Sequence, residues 1–246
     1  MAAVNTVSVE IRRKRYPSVT LFQDFRLTLP AGGFTALVGP SGCGKSTLLN
    51  MIAGLDTDFD GAVRLPSVRG RDPVLGYVFQ TPRLLPWYTV AENLGLVLHR
   101  RPGWEALAAA WLRDVGLEGQ GGVYPARLSG GMARRAALAR AFAVEPDLLL
   151  MDEPFVSLDA PTARRLRGLL AGILQAHPTT VLFVTHDLRE AMALADRILF
   201  LSAAPVRVLL DLPVTLGAVE RADDDAVEAA CRALRHAHAG VLDGVL

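Results

Sequence analysis

The 246-residue chain reads as an α/β protein. The expected form is a mostly parallel sheet flanked by helices, with an antiparallel β part at the N-terminus and an inserted helical subdomain. Three observations predict this. Strand-like apolar runs alternate with helix-like runs, the order that builds a parallel sheet covered on both faces. One such run, Phe34-Thr35-Ala36-Leu37-Val38, enters a helix directly through a glycine-rich loop. Residues 81–145 are helical in pattern and lack strands. A single domain follows, with 1–80 and 146–246 as its core and 81–145 as the insertion.

Each element has its own signal. Residues 4–11 and 19–29 alternate apolar and polar side chains, as half-buried strands do. Arg12-Arg13-Lys14-Arg15 is the densest basic cluster and is expected at a solvated strand edge or turn. Thr47 to Ala53 is a helix stopped by Gly54, and an acidic turn follows at Asp56 to Asp60. Val74 to Phe79 is a buried strand ending at Gln80. Pro82 and Pro86 punctuate the next stretch. Helices are expected over 89–98 and 104–116, the first opened by Thr89 with Glu92 at capping-box spacing. Ser129 caps a helix ending near Val144. Asp147 to Met151 is a buried strand, and Pro161 opens the next helix, where its missing N–H costs nothing. Thr180 to Thr185 is a strand, and Asp187 begins another helix. Ile198 to Ser202 and Val206 to Leu210 close the sheet. Ala226 to Ala237 is a terminal helix.

Composition narrows the function. Half of the residues are apolar, a fifth are charged, and the formal net charge is +1. That balance carries no nucleic-acid footprint. The cysteines, Cys43 and Cys231, suit a reducing compartment rather than a disulfide framework. The N-terminus has no apolar signal core, and no run of eighteen apolar residues occurs. A soluble, cytoplasmic protein is the expectation.

Gly39-Pro40-Ser41-Gly42-Cys43-Gly44-Lys45-Ser46, followed by Thr47, is a complete phosphate-binding P-loop. Its glycines let backbone N–H groups face the β- and γ-phosphates of a nucleotide. Lys45 adds a point charge, and the Ser46 hydroxyl is placed to ligate Mg²⁺. The helix N-terminus favours an anion. It also favours a thiolate at Cys43, so alkylation there is expected to block nucleotide binding and ATP to protect. Downstream, Leu148-Leu149-Leu150-Met151 ends in two carboxylates. Asp152 is the candidate to hold the Mg²⁺ shell and Glu153 the candidate base for the attacking water. The core is therefore expected to be a P-loop NTPase core.

Leu128-Ser129-Gly130-Gly131-Met132 adds a second glycine-rich helix start. With it, the chain resembles the ATP-binding subunits of ABC transporters over nearly its whole length. The motifs fall in that family's order: the P-loop, Gln80 at a strand end, the signature, the carboxylate pair with Pro154, Ser157-Leu158-Asp159, and Thr185-His186-Asp187 after a strand. Tyr16, 23 residues before Gly39, falls where the family places an aromatic that stacks on adenine; Pro17 replaces a common glycine, and a plain surface aromatic is the alternative. The resemblance implies a head-to-tail dimer. Ser129, Gly130 and Gly131 of one copy cover the γ-phosphate held by the other's P-loop, giving two composite sites. It implies that His186 contacts the γ-phosphate and the water, that Gln80 links Mg²⁺ to the helical subdomain, and that Asp159 reports across the dimer. The blander alternatives are a structural histidine and a plain strand-end glutamine. His99, His177, His236 and His238 read as solvated, and Trp87 and Trp111 as packing residues.

The resemblance also implies partners. Gln80-Thr81-Pro82-Arg83-Leu84-Leu85-Pro86-Trp87 and Asp159-Ala160-Pro161-Thr162 look like importers of the nitrate, sulfonate and taurine group. Two permease subunits, a second copy of this chain and an extracytoplasmic solute-binding protein follow, with this chain peripheral on the cytoplasmic face of the inner membrane. Pro82 to Trp87 becomes a docking surface for the permease; packing of the helical subdomain is the alternative. One departure exists. Met132-Ala133-Arg134-Arg135-Ala136-Ala137-Leu138 replaces the group's Gln-Arg pair and also resembles ATPases of phospholipid trafficking. That is the second reading, and a soluble non-transport ABC ATPase is a third. A degenerate motor that only binds is opposed by the intact Lys45, Asp152, Glu153 and His186.

Overall fold

The computed structural model describes residues 6–68, 70–99, 102–243 and 245. Residues 4 and 5 of the expected first strand lie outside them. In chain order the elements begin with β1 (Thr6–Tyr16), β2 (Val19–Pro30), β3 (Phe34–Val38) and α1 (Lys45–Ile52). β4 (Asp60–Arg64), β5 (Leu75–Val78), α2 (Val90–Val97), α3 (Trp104–Asp114) and α4 (Gly130–Phe142) follow. Then come β6 (Leu148–Asp152), α5 (Ala160–Ala176), β7 (Thr180–Thr185) and α6 (Leu188–Leu194). The chain closes with β8 (Arg197–Leu201), β9 (Val208–Pro213), α7 (Ala218–Ala222), α8 (Asp224–Ala237) and α9 (Ala239–Leu242). Two compact units emerge. The first holds the described residues through Pro73, Leu150–Glu153 and those from Thr180 onward; the second holds Val74–Leu149 and Pro154–Thr179.

The first unit contains two sheets. One has the order β2-β1-β4. β1 and β2 form an antiparallel hairpin closed at Tyr16 and Val19. They bury alternate residues, among them Val7, Val9, Ile11, Leu27 and Leu29, as one-sided antiparallel strands do. β4 starts within the expected acidic turn and pairs with the other edge of β1. The basic run Arg12 to Arg15 therefore lies in a central strand, not at a solvated edge. Arg12, Arg13 and Arg15 are exposed, but Lys14 is buried. Its ammonium donates to Asp56 Oδ1 at 2.9 Å and to the Asp58 carbonyl at 2.7 Å. The acidic turn neutralises a charge that burial alone would disfavour.

The second sheet of this unit runs β6-β7-β3-β8-β9. β3 pairs in parallel with β7 and β8, and β9 returns antiparallel on β8. Every residue of β3, β6 and β7 is buried, the signature of strands covered on both faces. Parallel β3 and β7 deliver Val38 and Thr185 side by side. Beyond the end of β6, the Glu153 N–H donates to the Val184 carbonyl of β7 at 2.9 Å. The P-loop, the carboxylate pair and His186 therefore leave the same edge of one sheet, where open α/β sheets place ligands.

In the second unit, β5 precedes the helical run α2, α3 and α4. Asp147 and Leu148 donate their N–H groups to the Val74 carbonyl, which sets β5 beside the start of β6. Thr89 and Glu92 form the expected capping box on α2, and Ser129 Oγ accepts the Met132 N–H on α4. Trp111 is buried and stacks on Phe142. Trp87 is 67% exposed, so it is not the packing residue expected.

Candidate active site

The P-loop geometry follows from β3 ending buried at Val38 and α1 starting at Lys45. Gly44 precedes α1 with φ 105°, and a Cβ there would meet Leu21 Cδ2 at 2.9 Å. Only glycine satisfies both constraints. A Cβ on Gly39 would meet the Leu201 carbonyl at 3.1 Å, so β8 presses the loop from behind. Lys45 is the first residue of α1 and is buried. Its Nζ donates to the carbonyls of Gly39 at 2.8 Å and Pro40 at 2.9 Å. These bonds hold the ammonium against the loop's own backbone. No side chain caps α1 and its first turn carries no acidic residue, leaving the helix N-terminus fit for a phosphate.

Ser46 Oγ donates to Asp152 Oδ1 at 3.0 Å, joining the second residue of α1 to the last of β6. A hydroxyl and a carboxylate so close are hard oxygen donors suited to Mg²⁺. Among the described residues no group of three or more His, Cys, Asp or Glu could hold a metal.

Glu153 has φ 42°, a left-handed conformation that non-glycine residues rarely adopt. The Val184 carbonyl holds its N–H, and its Oε2 lies 3.2 Å from His186 Nδ1. Two of the three expected catalytic side chains, Glu153 and His186, therefore meet, while the third, Lys45, bonds its own loop. The turn carrying His186 is tied on both sides. The Thr185 hydroxyl donates to Glu190 Oε2 and accepts the Asp187 N–H at 3.0 Å. Asp187 caps α6, and Arg189 pairs with Glu228 of α8 at 2.6 Å. Sequence reasoning did not single out Thr185 or Glu190 as support for this turn. The available signal was a carboxylate placed among the buried positions of α6.

Cys43 departs from expectation. Its side chain is buried, and burial pushes the thiol pKa up despite the opposing charge of Lys45. The loss of solvation is the largest of the influences on this thiol and works against the thiolate. Tyr16 is 44% exposed at the end of β1, with Lys14 Nζ 5.2 Å from its ring centre.

The remaining candidates belong to the second unit. Gln80 is exposed after β5, and its carbonyl accepts Arg134 Nη1 at 3.0 Å. Ser129 and Gly130 are exposed at the start of α4, and open space surrounds Gly130. The Ser129 hydroxyl takes the Met132 N–H, so that donor is not free for an anion. Asp159 is exposed at the start of α5 and makes no side-chain cap.

Comparison with known proteins follows the same lines. A family model described as ABC transporter matches residues 22–156. The aliphatic sulfonates import ATP-binding protein SsuB 2 of Burkholderia lata is 48% identical over 208 residues, covering 84% of this chain and 76% of that protein. SsuB 1 of Pseudomonas aeruginosa is 46% identical over 215 residues, covering 83% and 85%. Among solved structures, the ATP-binding cassette MJ0796, a dimer in a post-hydrolysis state with ADP and Pi, superposes with a TM-score of 0.72. It is 27% identical and covers 86% of this chain and 100% of its own.

Proposed function

We propose, from the premise that this chain belongs to the ABC transporter family of ATP-binding proteins, that it powers uptake of a small anionic solute of the aliphatic sulfonate type. The chain is an ATPase using ATP with Mg²⁺, the motor of an import system, and its partners are permease subunits and a second copy of itself. Among the described residues no helix is long and apolar enough to cross a membrane, in keeping with separate membrane-spanning partners. A solute-binding protein outside the membrane and a place on its cytoplasmic face complete the proposal. The related sulfonate importers do not favour phospholipid trafficking or a soluble ATPase.

The observation that carries the reading is the convergence of the P-loop, Ser46–Asp152 and Glu153–His186 at one sheet edge. Gly39 to Thr47 form the loop around the phosphates, with backbone N–H groups from its residues other than Pro40, and Lys45 offsets their charge. Mg²⁺, held by Ser46 and Asp152 and linked to Gln80, would neutralise charge developing on the phosphates. Glu153 accepts a proton from the attacking water. His186 Nδ1, at 3.2 Å, orients that carboxylate and faces the γ-phosphate through the ring's other edge. Tyr16 stacks on the adenine. Ser129, Gly130 and Gly131 of the second copy close over the γ-phosphate, and Asp159 senses that copy. Residues 81–145 act as the helical signature subdomain, with the exposed Trp87 facing the permease.

The test has two parts. The subunit is captured from gently solubilised membranes, and co-purifying proteins are identified by mass spectrometry. Uptake of a labelled aliphatic sulfonate is then measured in cells lacking the subunit. A permease with a solute-binding protein, and uptake restored by wild type but not by Lys45→Ala, support the proposal. Lipid-domain partners would move the assignment to phospholipid trafficking, and no membrane partner would overturn the importer.

A further inference from the structure

Helix α4 carries three arginines whose guanidinium groups all serve backbone carbonyls. Arg135 takes those of Val115 and Gly116 at the end of α3. Arg140 takes those of Pro82 and Arg83. Arg134 reaches furthest. Its Nη1 donates to the Gln80 carbonyl at 3.0 Å and to the Pro154 carbonyl at 2.9 Å. Its Nη2 donates to the Val156 carbonyl. One side chain thus holds the exit of β5 and two residues of the segment that follows Glu153 in the chain.

That segment needs holding. Glu153 at its start has φ 42°, and Ser157, one residue beyond the last tethered carbonyl, has φ 61°. Two left-handed non-glycine residues cost free energy and persist only where neighbours over-determine the backbone. Arg134 is part-buried, which strengthens its charge-assisted bonds and makes a lost partner costly. A guanidinium presents five donors in a rigid plane and can serve three carbonyls at once. A glutamine amide has two N–H bonds on one nitrogen, and a lysine ammonium is a single point.

We propose that Arg134 is a positioning residue for ATP hydrolysis: it locks the carbonyls of Gln80, Pro154 and Val156 into one frame, so that the position of Gln80 sets the backbone that aims Glu153 and leads to Asp159. The inference rests on the reading of Glu153 as the base. It makes Arg134 a mechanical link between the Gln80 turn and the carboxylate segment, with no contact to nucleotide.

The experiment compares wild type with Arg134→Ala, Arg134→Lys and Arg134→Gln as tagged full-length subunits, each captured with its native membrane partners. kcat and KM for MgATP, ATP affinity and the thermal midpoint of the subunit are measured. Displacing a catalytic group by about 1 Å costs on the order of 10²-fold in rate. Arg134→Ala is therefore expected to lower kcat by about 10-fold to 10²-fold, with KM and ATP affinity within about twofold of wild type. Arg134→Lys, which keeps the charge but not the fork, should fall between, and Arg134→Gln near the alanine variant. A wild-type kcat in Arg134→Ala overturns the proposal. So does a parallel loss of kcat, ATP affinity and thermal midpoint, the mark of a merely structural role. If the alanine variant fails to fold, the lysine variant decides by the same split. Glu153→Gln runs alongside. Normal hydrolysis in that variant sinks the reading of the base and this inference with it. Slow hydrolysis there with a normal Arg134→Ala sinks this inference alone.

Discussion

His186 Nδ1 lies 3.2 Å from Glu153 Oε2, although the two stand 33 positions apart in the chain. The contact forms because β7 and the end of β6 are neighbours, the Glu153 N–H being bonded to the Val184 carbonyl. A carboxylate held by an imidazole at a sheet edge is built to manage one proton.

Replacing that carboxylate isolates the chemical step. Glu153→Gln should lower kcat by roughly 10²–10⁴-fold while ATP still binds, since an amide cannot accept the proton. Steady-state hydrolysis and equilibrium nucleotide binding, measured together, check this. Wild-type turnover would remove Glu153 from its role.

The Ser46–Asp152 pair makes a separate prediction about the metal. Ser46→Ala and Asp152→Asn should each raise the Mg²⁺ concentration needed for half-maximal hydrolysis by at least about tenfold. A Mg²⁺ titration at fixed ATP measures it. An unchanged midpoint in both variants would place the ion elsewhere.

Gly44 should tolerate no side chain. With φ 105° and Leu21 at 2.9 Å from where a Cβ would sit, Gly44→Ala is strained in backbone and packing together. A loss of about 1–3 kcal/mol is expected in denaturant unfolding. A stability equal to wild type would show that the loop relaxes freely.

The thiols should be silent in the folded protein. Burial raises the pKa of Cys43, and that of Cys231 to about 11. Raised values leave less thiolate at neutral pH, and neither side chain is accessible. Alkylation should be slow for both until denaturant is added, with no protection by ATP to observe. Fast, ATP-sensitive labelling of Cys43 would instead restore the thiolate expected from its place before a helix.

Arg197 and Asp211 carry a pH signature. The Arg197 guanidinium bonds both Asp211 oxygens, at 2.7 and 2.6 Å, and holds that carboxyl below its ordinary value of 3.8. The folded value is depressed, so the stabilisation is present above the unfolded value and is lost as pH falls through the folded one. The pair is partly exposed, so Asp211→Asn should cost less than about 1 kcal/mol at neutral pH. The gap from wild type should close in acid below the carboxylate range. A gap independent of pH would mean that the pair contributes through packing.

Much of the site was legible because its demands are local. A phosphate loop needs glycines at fixed offsets from a lysine and a hydroxyl, so Gly39 to Ser46 announce themselves without a fold. The capping box of Thr89 and Glu92 and the cap at Ser129 are equally local, each set by a hydrogen bond spanning three residues. The burial of β3, β6 and β7 followed from their largely apolar sequences. What escaped depended on distant partners. Lys14 read as solvated because Asp56 and Asp58, which accept its ammonium, lie more than forty residues away. Cys43 read as activated because the helix terminus is local, whereas the burial that works against the thiolate comes from the assembled core. The left-handed backbone at Glu153 and the three carbonyls gathered by Arg134 leave no mark in composition or periodicity. The sequence by itself determined which chemical groups this protein brings to a nucleotide. The tertiary structure decided which of them meet, because charge, solvation and backbone strain depend on neighbours that the chain supplies only after folding.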